Sequence, residues 1–143
     1  MVAEALEADG VSLLSGTRAS RFGRRGSENL LTVEGAGGEQ EVPFDRVLLA
    51  VGRRAVTNGL GLERLSIGLN KDGTIVTDAS LRTEVPTVYA CGDVAGPYQF
   101  THAASHQAWY AAVNALFGGF HRFRADYSAL PMATYTDPEV ARV

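Results

Sequence analysis

Short apolar runs alternate with polar and glycine-rich breaks along the whole chain. Residues 1–8 place their apolar side chains on one helical face, and Gly10 follows where a left-handed helix cap would lie, so the pattern predicts a helix. The next apolar run, Val11–Leu14, predicts a short strand. The chain is therefore expected to open with the second half of an α/β unit.

Three further runs predict small antiparallel strands at residues 17–22, 29–33 and 41–44, with an exposed glycine-rich turn at residues 35–38. The pattern then changes, because Val47–Val51 is a run of five consecutive apolar residues. A strand that is apolar throughout is typical of a parallel sheet that is buried on both faces. This run therefore predicts a strand of an α/β fold.

The downstream pattern predicts one long helix among short elements. In chain order these are a helical turn at Gly59–Leu65, a tight turn at Asp72–Gly73 before a strand at Thr74–Thr77, a strand at Thr87–Ala90, a helix from about His102 to Phe117 that Gly118 and Gly119 end, and a last strand from Pro131 to Tyr135. A chain that enters within a helix and leaves just after a new strand is expected to be a segment of a longer protein.

Composition and charge narrow the class of protein. The 143 residues are 45% apolar and 20% charged, with a formal net charge of −3, which is ordinary for one globular domain or parts of several. This mildly acidic balance predicts no nucleic-acid partner. The arginines within Arg18–Arg25 either lie on the solvent-exposed edge of a hairpin, which we call the hairpin rim, or form a phosphate-binding patch. The sequence beside them has no series of aromatic residues on which bases could stack, and this favours the hairpin rim.

The same residues predict a cytoplasmic protein without a membrane partner. The longest apolar stretch is too short to cross a bilayer, and the first residues show no secretory signal pattern. The single cysteine, Cys91, has no partner for an internal disulfide and is interpreted as a small buried apolar residue rather than a nucleophile. His102 and His106 are spaced for one helical face but have no third ligand, so no metal site is predicted.

The strand, loop and helix from Thr87 to Phe117 are the best candidate for a ligand site. The strand would deliver Gly92 and Asp93 to its carboxyl end, where open α/β sheets bind ligands. A glycine lets a ligand approach the backbone, and a carboxylate accepts hydrogen bonds from sugar-like hydroxyls. Unpaired amides at the helix start, with Thr101 as the expected cap, favour electron-rich groups. A purely structural corner explains these residues equally well.

These residues also resemble a known family. Thr87–Asp93, followed by Thr101–Ala104 and Gln107–Ala108, is similar to the second flavin-binding motif of the pyridine nucleotide-disulfide oxidoreductases, which include dihydrolipoamide dehydrogenase, mercuric reductase and glutathione reductase. Leu49–Arg54 resembles that family's late nicotinamide-domain strand, and Tyr135–Ala141 resembles the opening of its dimerisation domain. The resemblance covers essentially the whole chain. It implies a truncated α/β fold, a partial Rossmann-like three-layer arrangement that binds FAD and NAD(P).

The resemblance implies roles for individual residues. Asp93 would hold a ribityl hydroxyl of FAD, Gly52 would contact NAD(P), and Arg53 is interpreted as structural. No residue of the chain is assigned a catalytic role. The implied cofactor-binding residues are Gly52, Gly92, Asp93, Gln99, Phe100, Thr101, His102 and Ala103.

The resemblance also divides the chain. Residues 1–82 would complete an NAD(P)-binding domain, residues 83–123 an FAD-binding domain, and residues 124–143 would begin the dimerisation domain of a homodimer. The family's glycine-rich fingerprints, its redox cysteine pair and its His-Glu pair have no counterpart in this sequence, so the chain alone is expected to be inactive.

The implied parent enzyme transfers electrons between NAD(P)H and a disulfide-type substrate or mercuric ion, through FAD and a cysteine pair outside this chain. The choice among lipoamide, mercuric ion and glutathione stays open, as does NAD against NADP. A family member that acts on a peroxide or a quinone is one alternative. A non-catalytic α/β binding module, whose small residues serve only helix packing, is another.

Overall fold

The structure is a computed structural model that describes residues 1–143. Contacts divide the chain into two compact units, residues 1–51 with 131–142, and residues 52–130 with Val143. The helices and strands in chain order are α1 (Val2–Ala8), β1 (Arg18–Arg25), β2 (Glu28–Gly35), β3 (Gly38–Phe44), α2 (Thr101–Phe117), β4 (Met132–Thr134) and β5 (Val140–Arg142). None of the helices is both long and apolar enough to span a lipid bilayer.

The first unit opens with the predicted helix, α1. Gly10 follows it with φ +85°, and the amide of Val11 donates to the carbonyl of Leu6 at 2.9 Å. This is the left-handed cap that the sequence predicted. The strand predicted at Val11–Leu14 is wrong, because this segment is irregular and neither sheet of the chain includes it.

The main sheet of this unit is an antiparallel meander of β1, β2 and β3. It confirms the three predicted antiparallel strands, each somewhat longer than its apolar run. The central strand β2 buries Leu30, Thr32 and Val33, whereas every residue of β1 is exposed. The arginine cluster lies on this exposed strand, as the hairpin-rim interpretation expected.

Two glutamates of the neighbouring strands neutralise part of that arginine cluster. Arg18 forms an ion pair with Glu34 at 3.2 Å, and Arg25 forms one with Glu41. All four side chains are well exposed, so each pair contributes little to stability.

The buried parallel strand predicted at Val47–Val51 is wrong for this chain. The segment has no regular structure, and the side chains of Leu48 and Val51 are each 89% exposed. A strand buried on both faces needs hydrogen-bonded neighbours at its edges and packed layers on both faces. No sheet of this chain includes the segment. The last predicted strand is confirmed as β4, which pairs with β5 as an antiparallel hairpin.

The second unit is built around a small apolar cluster of Ile67, Ile75 and Ala90. The helical turn predicted before it is present at Leu62–Leu65. The predicted tight turn at Asp72–Gly73 is also confirmed, since the amide of Asn70 donates to the carbonyl of Thr74 at 2.8 Å across it.

The strands predicted at Thr74–Thr77 and Thr87–Ala90 are reduced to single bridges. Ile75 pairs with Leu69, and Tyr89 pairs with Arg82. Each segment is extended but lacks a neighbour long enough to form a regular ladder. The long helix is confirmed as α2, which begins at Thr101 and ends at Phe117 before the two glycines.

Candidate functional site

The extended segment before α2 runs into a tight loop, Gly92–Gly96, which we call the Gly92 loop. Cys91 is still extended, with φ −145° and ψ 163°, whereas Gly92 has φ +76° and begins a single turn of 3-10 helix. The amides of Ala95 and Gly96 both donate to the carbonyl of Gly92, at 2.9 and 3.2 Å. The loop is therefore closed on its own first carbonyl.

A glycine is required at position 92 for two reasons. Its positive φ is a conformation that other residues adopt only with strain. A Cβ atom there would also lie 3.4 Å from the Cβ of Ala104 in the first turns of α2. The small side chain at position 104 lets the helix pack against the loop backbone.

One fully buried side chain of α2, Gln107, fixes the loop from the other side. Its Oε1 accepts the amide hydrogen of Gly92 at 2.6 Å, and its Nε2 donates to the carbonyl of Gly96 at 2.6 Å and to the hydroxyl of Tyr127 at 2.9 Å. Gln107 has a relative exposure of 0%. Both ends of the Gly92 loop are thus bonded to the same amide group.

A second buried amide, Asn114, lies two turns further along the same helix. Its Nδ2 donates to the carbonyls of Ser80 and Phe123 at 3.0 and 2.8 Å, and its Oδ1 accepts from the amide of Phe123 at 2.8 Å. It has a relative exposure of 2%. Asn114 therefore ties other segments to α2 but makes none of these bonds to the Gly92 loop.

Asp93 and the start of α2 stand at the surface. Asp93 is exposed, and its carboxylate takes part in none of the ion pairs of the chain. The first backbone hydrogen bond of α2 runs from the amide of Ala104 to the carbonyl of Phe100 at 2.9 Å. The three amides before Ala104 therefore have no carbonyl partner within the helix.

The prediction that Thr101 caps this helix is wrong. The cap position is occupied by Phe100, with φ −124° and ψ 144°, and no side chain bonds to the helix start. Thr101 is already the first helical residue, so its hydroxyl is not at the position from which a cap reaches the free amides.

The residues predicted to bind cofactor lie in one unit of the structure. Gly52 is exposed with φ +116°, and the neighbouring Arg53 donates from Nη1 to the carbonyl of Gln99 at 2.5 Å. This bond places the Gly52 segment beside the loop that leads into α2, in agreement with a structural role for Arg53. The rings of Phe100 and His102 stack with centroids 5.4 Å apart and an interplanar angle of 13°.

The remaining predicted residue, Ala103, is fully buried in this chain together with its backbone amide, so its contact with the flavin stays a prediction. Cys91 is half-buried, somewhat more accessible than the predicted buried position. His106 donates from Nε2 to the carbonyl of Asp126 at 2.7 Å, a contact within the chain. No group of three or more His, Cys, Asp or Glu side chains is arranged to hold a metal ion.

Sequence reasoning missed the structural importance of Gln107, Asn114 and Tyr127. A signal was present, because two amide residues spaced seven apart lie on one face of an otherwise alanine-rich helix. Burial raises the pKa of Tyr127 above its ordinary value, and the hydrogen bond from Gln107 opposes that rise. The hydroxyl therefore stays neutral near pH 7 and accepts from Gln107.

The family model for pyridine nucleotide-disulphide oxidoreductases matches residues 1–108 of the chain. This range includes the Gly92 loop, the first half of α2 and the Gly52 segment. The chain belongs to the pyridine nucleotide-disulphide oxidoreductase family, which confirms the resemblance drawn from the sequence.

Named relatives come from two branches of that family. The chain is 38% identical over 135 residues to a mercuric reductase of Streptomyces lividans, covering 94% of this chain and 28% of the relative. It is 39% identical over 134 residues to a dihydrolipoyl dehydrogenase of Chlamydia muridarum, covering 94% of this chain and 27% of the relative. The chain thus spans less than a third of the length of the relatives it matches.

Solved structures give the same family. The structure of LpdA from Mycobacterium tuberculosis matches with a TM-score of 0.84 and 30% identity, covering 96% of this chain and 29% of that chain. The HOCl-induced flavoprotein disulfide reductase RclA from Escherichia coli matches with a TM-score of 0.79 and 25% identity, covering 97% of this chain and 31% of that chain. This likeness confirms the predicted truncated α/β fold of the FAD- and NAD(P)-binding type.

Proposed function

We propose that this chain is the flavin-contacting part of a longer flavoprotein oxidoreductase, which transfers electrons between NAD(P)H and a disulfide-type substrate or mercuric ion. The observation that carries the proposal is the Gly92 loop, held in front of the free amides of α2 in a chain that the family model matches. The electrons would pass through FAD and a redox cysteine pair that lies outside this chain.

The residues of the Gly92 loop and of the start of α2 have the chemistry to contact a flavin nucleotide. The exposed carboxylate of Asp93 can accept hydrogen bonds from ribityl hydroxyls, and the buried Gly92, packed against Ala104, begins the turn that carries Asp93 to the surface. The free amides of the exposed Thr101 and His102 and the positive end of the α2 dipole favour electron-rich edges of a flavin ring. The backbone and side chains at Gln99 and Phe100 would lie beside that ring.

FAD, when bound, would supply the chemistry of carrying an electron pair between a nicotinamide and a cysteine disulfide, which is reduced to a dithiol. This chain would contribute binding and orientation. Gly52, exposed and without a neighbour within 4 Å of a built Cβ, is the proposed NAD(P) contact. The next residue, Arg53, donates to the carbonyl of Gln99. One hydrogen bond therefore connects the segment of the proposed nicotinamide contact with that of the proposed flavin contacts.

The proposed assignment along the chain keeps the predicted boundaries. Residues 1–82 would belong to the NAD(P)-binding domain, residues 83–123 to the FAD-binding domain and residues 124–143 to the dimerisation domain. The relatives named as mercuric reductase and dihydrolipoyl dehydrogenase support mercuric ion or a dithiol/disulfide pair as the substrate of the full-length protein.

The Asp93→Ala variant of the full-length protein tests the flavin contact. Loss of a charge-assisted hydrogen bond costs about 1.5–3 kcal/mol, so the dissociation constant for FAD is expected to rise roughly tenfold or more. Titration of the apoprotein with FAD, followed by flavin fluorescence, measures it. Glu63→Ala, which removes an equally exposed carboxylate from the same unit, is the matched control and should leave the constant unchanged. Equal constants for wild type and Asp93→Ala would remove Asp93 from the site.

The same proposal includes a cytoplasmic homodimer. Tyr135, at the start of the segment that resembles the family's dimerisation domain, is 84% exposed in this chain and available for an interface. Light scattering of the full-length protein after size-exclusion chromatography should give twice the mass of one subunit, and a monodisperse monomer would contradict the dimer. Recovery of the protein in a membrane fraction would contradict the cytoplasmic location, where NAD(P)H is supplied.

A further inference from the structure

We infer that Gln107 is a positioning residue for the flavin, which acts through the Gly92 loop and Asp93 without contacting the cofactor itself. The inference rests on the proposed function, because it assumes that Asp93 contacts FAD. It gives a role to Gln107, a residue of the resembling flavin motif to which the resemblance assigned no contact with the cofactor.

Gln107 contacts the Gly92 loop at both of its ends. The amide group of Gln107 bonds to the first and last residues of the Gly92 loop, to the amide of Gly92 and to the carbonyl of Gly96, both at 2.6 Å. The acceptor and the donor of one planar amide are thus used on opposite ends of one turn. Gln107 and the bond from the amide of Gly96 to the carbonyl of Gly92 at 3.2 Å together hold these ends close to each other.

Asp93 lies within the turn that these contacts hold. Asp93 directly follows the residue whose amide is held, and the 3-10 turn of Gly92–Val94 carries it to the surface. Its own side chain forms no ion pair that could orient it. The direction of its carboxylate therefore depends on the backbone of the loop, which Gln107 holds at both ends and the amide of Ile75 holds at the carbonyl of Val94, at 2.7 Å.

The buried amide of Gln107 has no water molecule available as a replacement partner. Gln107 is completely buried, so water cannot replace its contacts without opening the packing of α2. Its remaining hydrogen-bond donor is used by the hydroxyl of Tyr127 at 2.9 Å, which fixes the orientation of the amide. The loop is therefore held in one shape before any ligand binds.

Asn114 provides an internal control for the test. It lies on the same face of α2, is almost equally buried and makes three hydrogen bonds to other segments, as Gln107 does. Its partners are Ser80 and Phe123, outside the Gly92 loop. Replacing either amide by an apolar side chain of similar size removes three hydrogen bonds, but only the Gln107 replacement removes bonds to the Gly92 loop.

The test compares Gln107→Met and Asn114→Leu in the full-length protein. Both variants are expected to lower the midpoint of thermal unfolding of the apoprotein. Gln107→Met should in addition raise the dissociation constant for FAD by about tenfold, whereas Asn114→Leu should change it by less than about twofold. If both variants weaken FAD binding in proportion to their loss of thermal stability, Gln107 is only structural and the inference is overturned.

A double-mutant cycle with Asp93→Ala separates positioning from stability. If Gln107 acts through Asp93, the Gln107→Met substitution should weaken FAD binding much less when Asp93 is already alanine than when it is present. Additive effects on the dissociation constant would overturn the inference. The Asn114→Leu substitution should have the same small effect in both backgrounds.

A milder variant covers the case in which Gln107→Met does not fold. Gln107→Asn keeps the amide but shortens the side chain by one methylene group, so both contacts to the loop cannot be kept together. It too should raise the dissociation constant for FAD, and an unchanged constant in the folded Asn variant overturns the inference. Failure of the wild-type full-length protein to bind FAD is a separate result, which overturns the proposed function itself.

Discussion

Gly92 adopts a backbone conformation that only glycine adopts without strain. Its φ of +76° lies in the left-handed region, and a Cβ would approach that of Ala104 at 3.4 Å. The contact distance alone is tolerable, so the conformational cost dominates. Gly92 thus joins two requirements of the site, a sharp change of direction after the extended segment and close packing of α2.

The Gly92→Ala substitution is expected to destabilise the full-length apoprotein by about 1–2 kcal/mol, the cost of a left-handed conformation for a residue with a Cβ. A lower midpoint of thermal unfolding measures this effect. Gly119→Ala is the control, since its backbone is not left-handed and a Cβ there meets nothing within 4 Å. Equal midpoints for Gly92→Ala and wild type would show that the loop adapts to the side chain at no cost.

At the residue scale, the sequence indicated which single residues matter better than it indicated which residues they form hydrogen bonds with. Asp93 and Gly92 could be singled out because a glycine and an aspartate before a helix are informative by themselves. The bonds of Gln107 could not, since they depend on how the loop folds back on α2. Thr101 was misassigned as a cap because the helix begins one residue earlier than its alanine-rich pattern indicated.

At the scale of elements, local pairing separates the correct predictions from the wrong ones. The strands β1, β2 and β3 pair with their neighbours in sequence, so their patterns and the turns between them were sufficient. The helix α2 was predicted for the same reason, because its hydrogen bonds are all within one segment.

The predicted strands that failed depend on partners distant in sequence. Val47–Val51 has the composition of a central parallel strand, but such a strand forms only when other strands lie on both sides. Thr87–Ala90 keeps an extended backbone and one bridge from Tyr89 to Arg82. An apolar run indicates that a segment tends to be buried. It does not indicate which other segment of the fold buries it.

At the scale of the whole molecule, large apolar side chains remain at the surface of this chain. Leu48 and Val51 are each 89% exposed, and Phe120 is 95% exposed. These exposures support the proposal that the chain works within a longer protein, as does its coverage of 28% of a mercuric reductase relative.

The flavin content of the full-length protein tests the central claim most directly. The protein should be purified from cells without added cofactor, and its visible absorbance recorded before and after release of the bound flavin by denaturation. The account predicts the absorbance of oxidised flavin and about one FAD for each subunit, as expected for a site with a single proposed ribityl contact at Asp93. A colourless protein that gains no flavin absorbance after incubation with FAD and gel filtration would contradict the account.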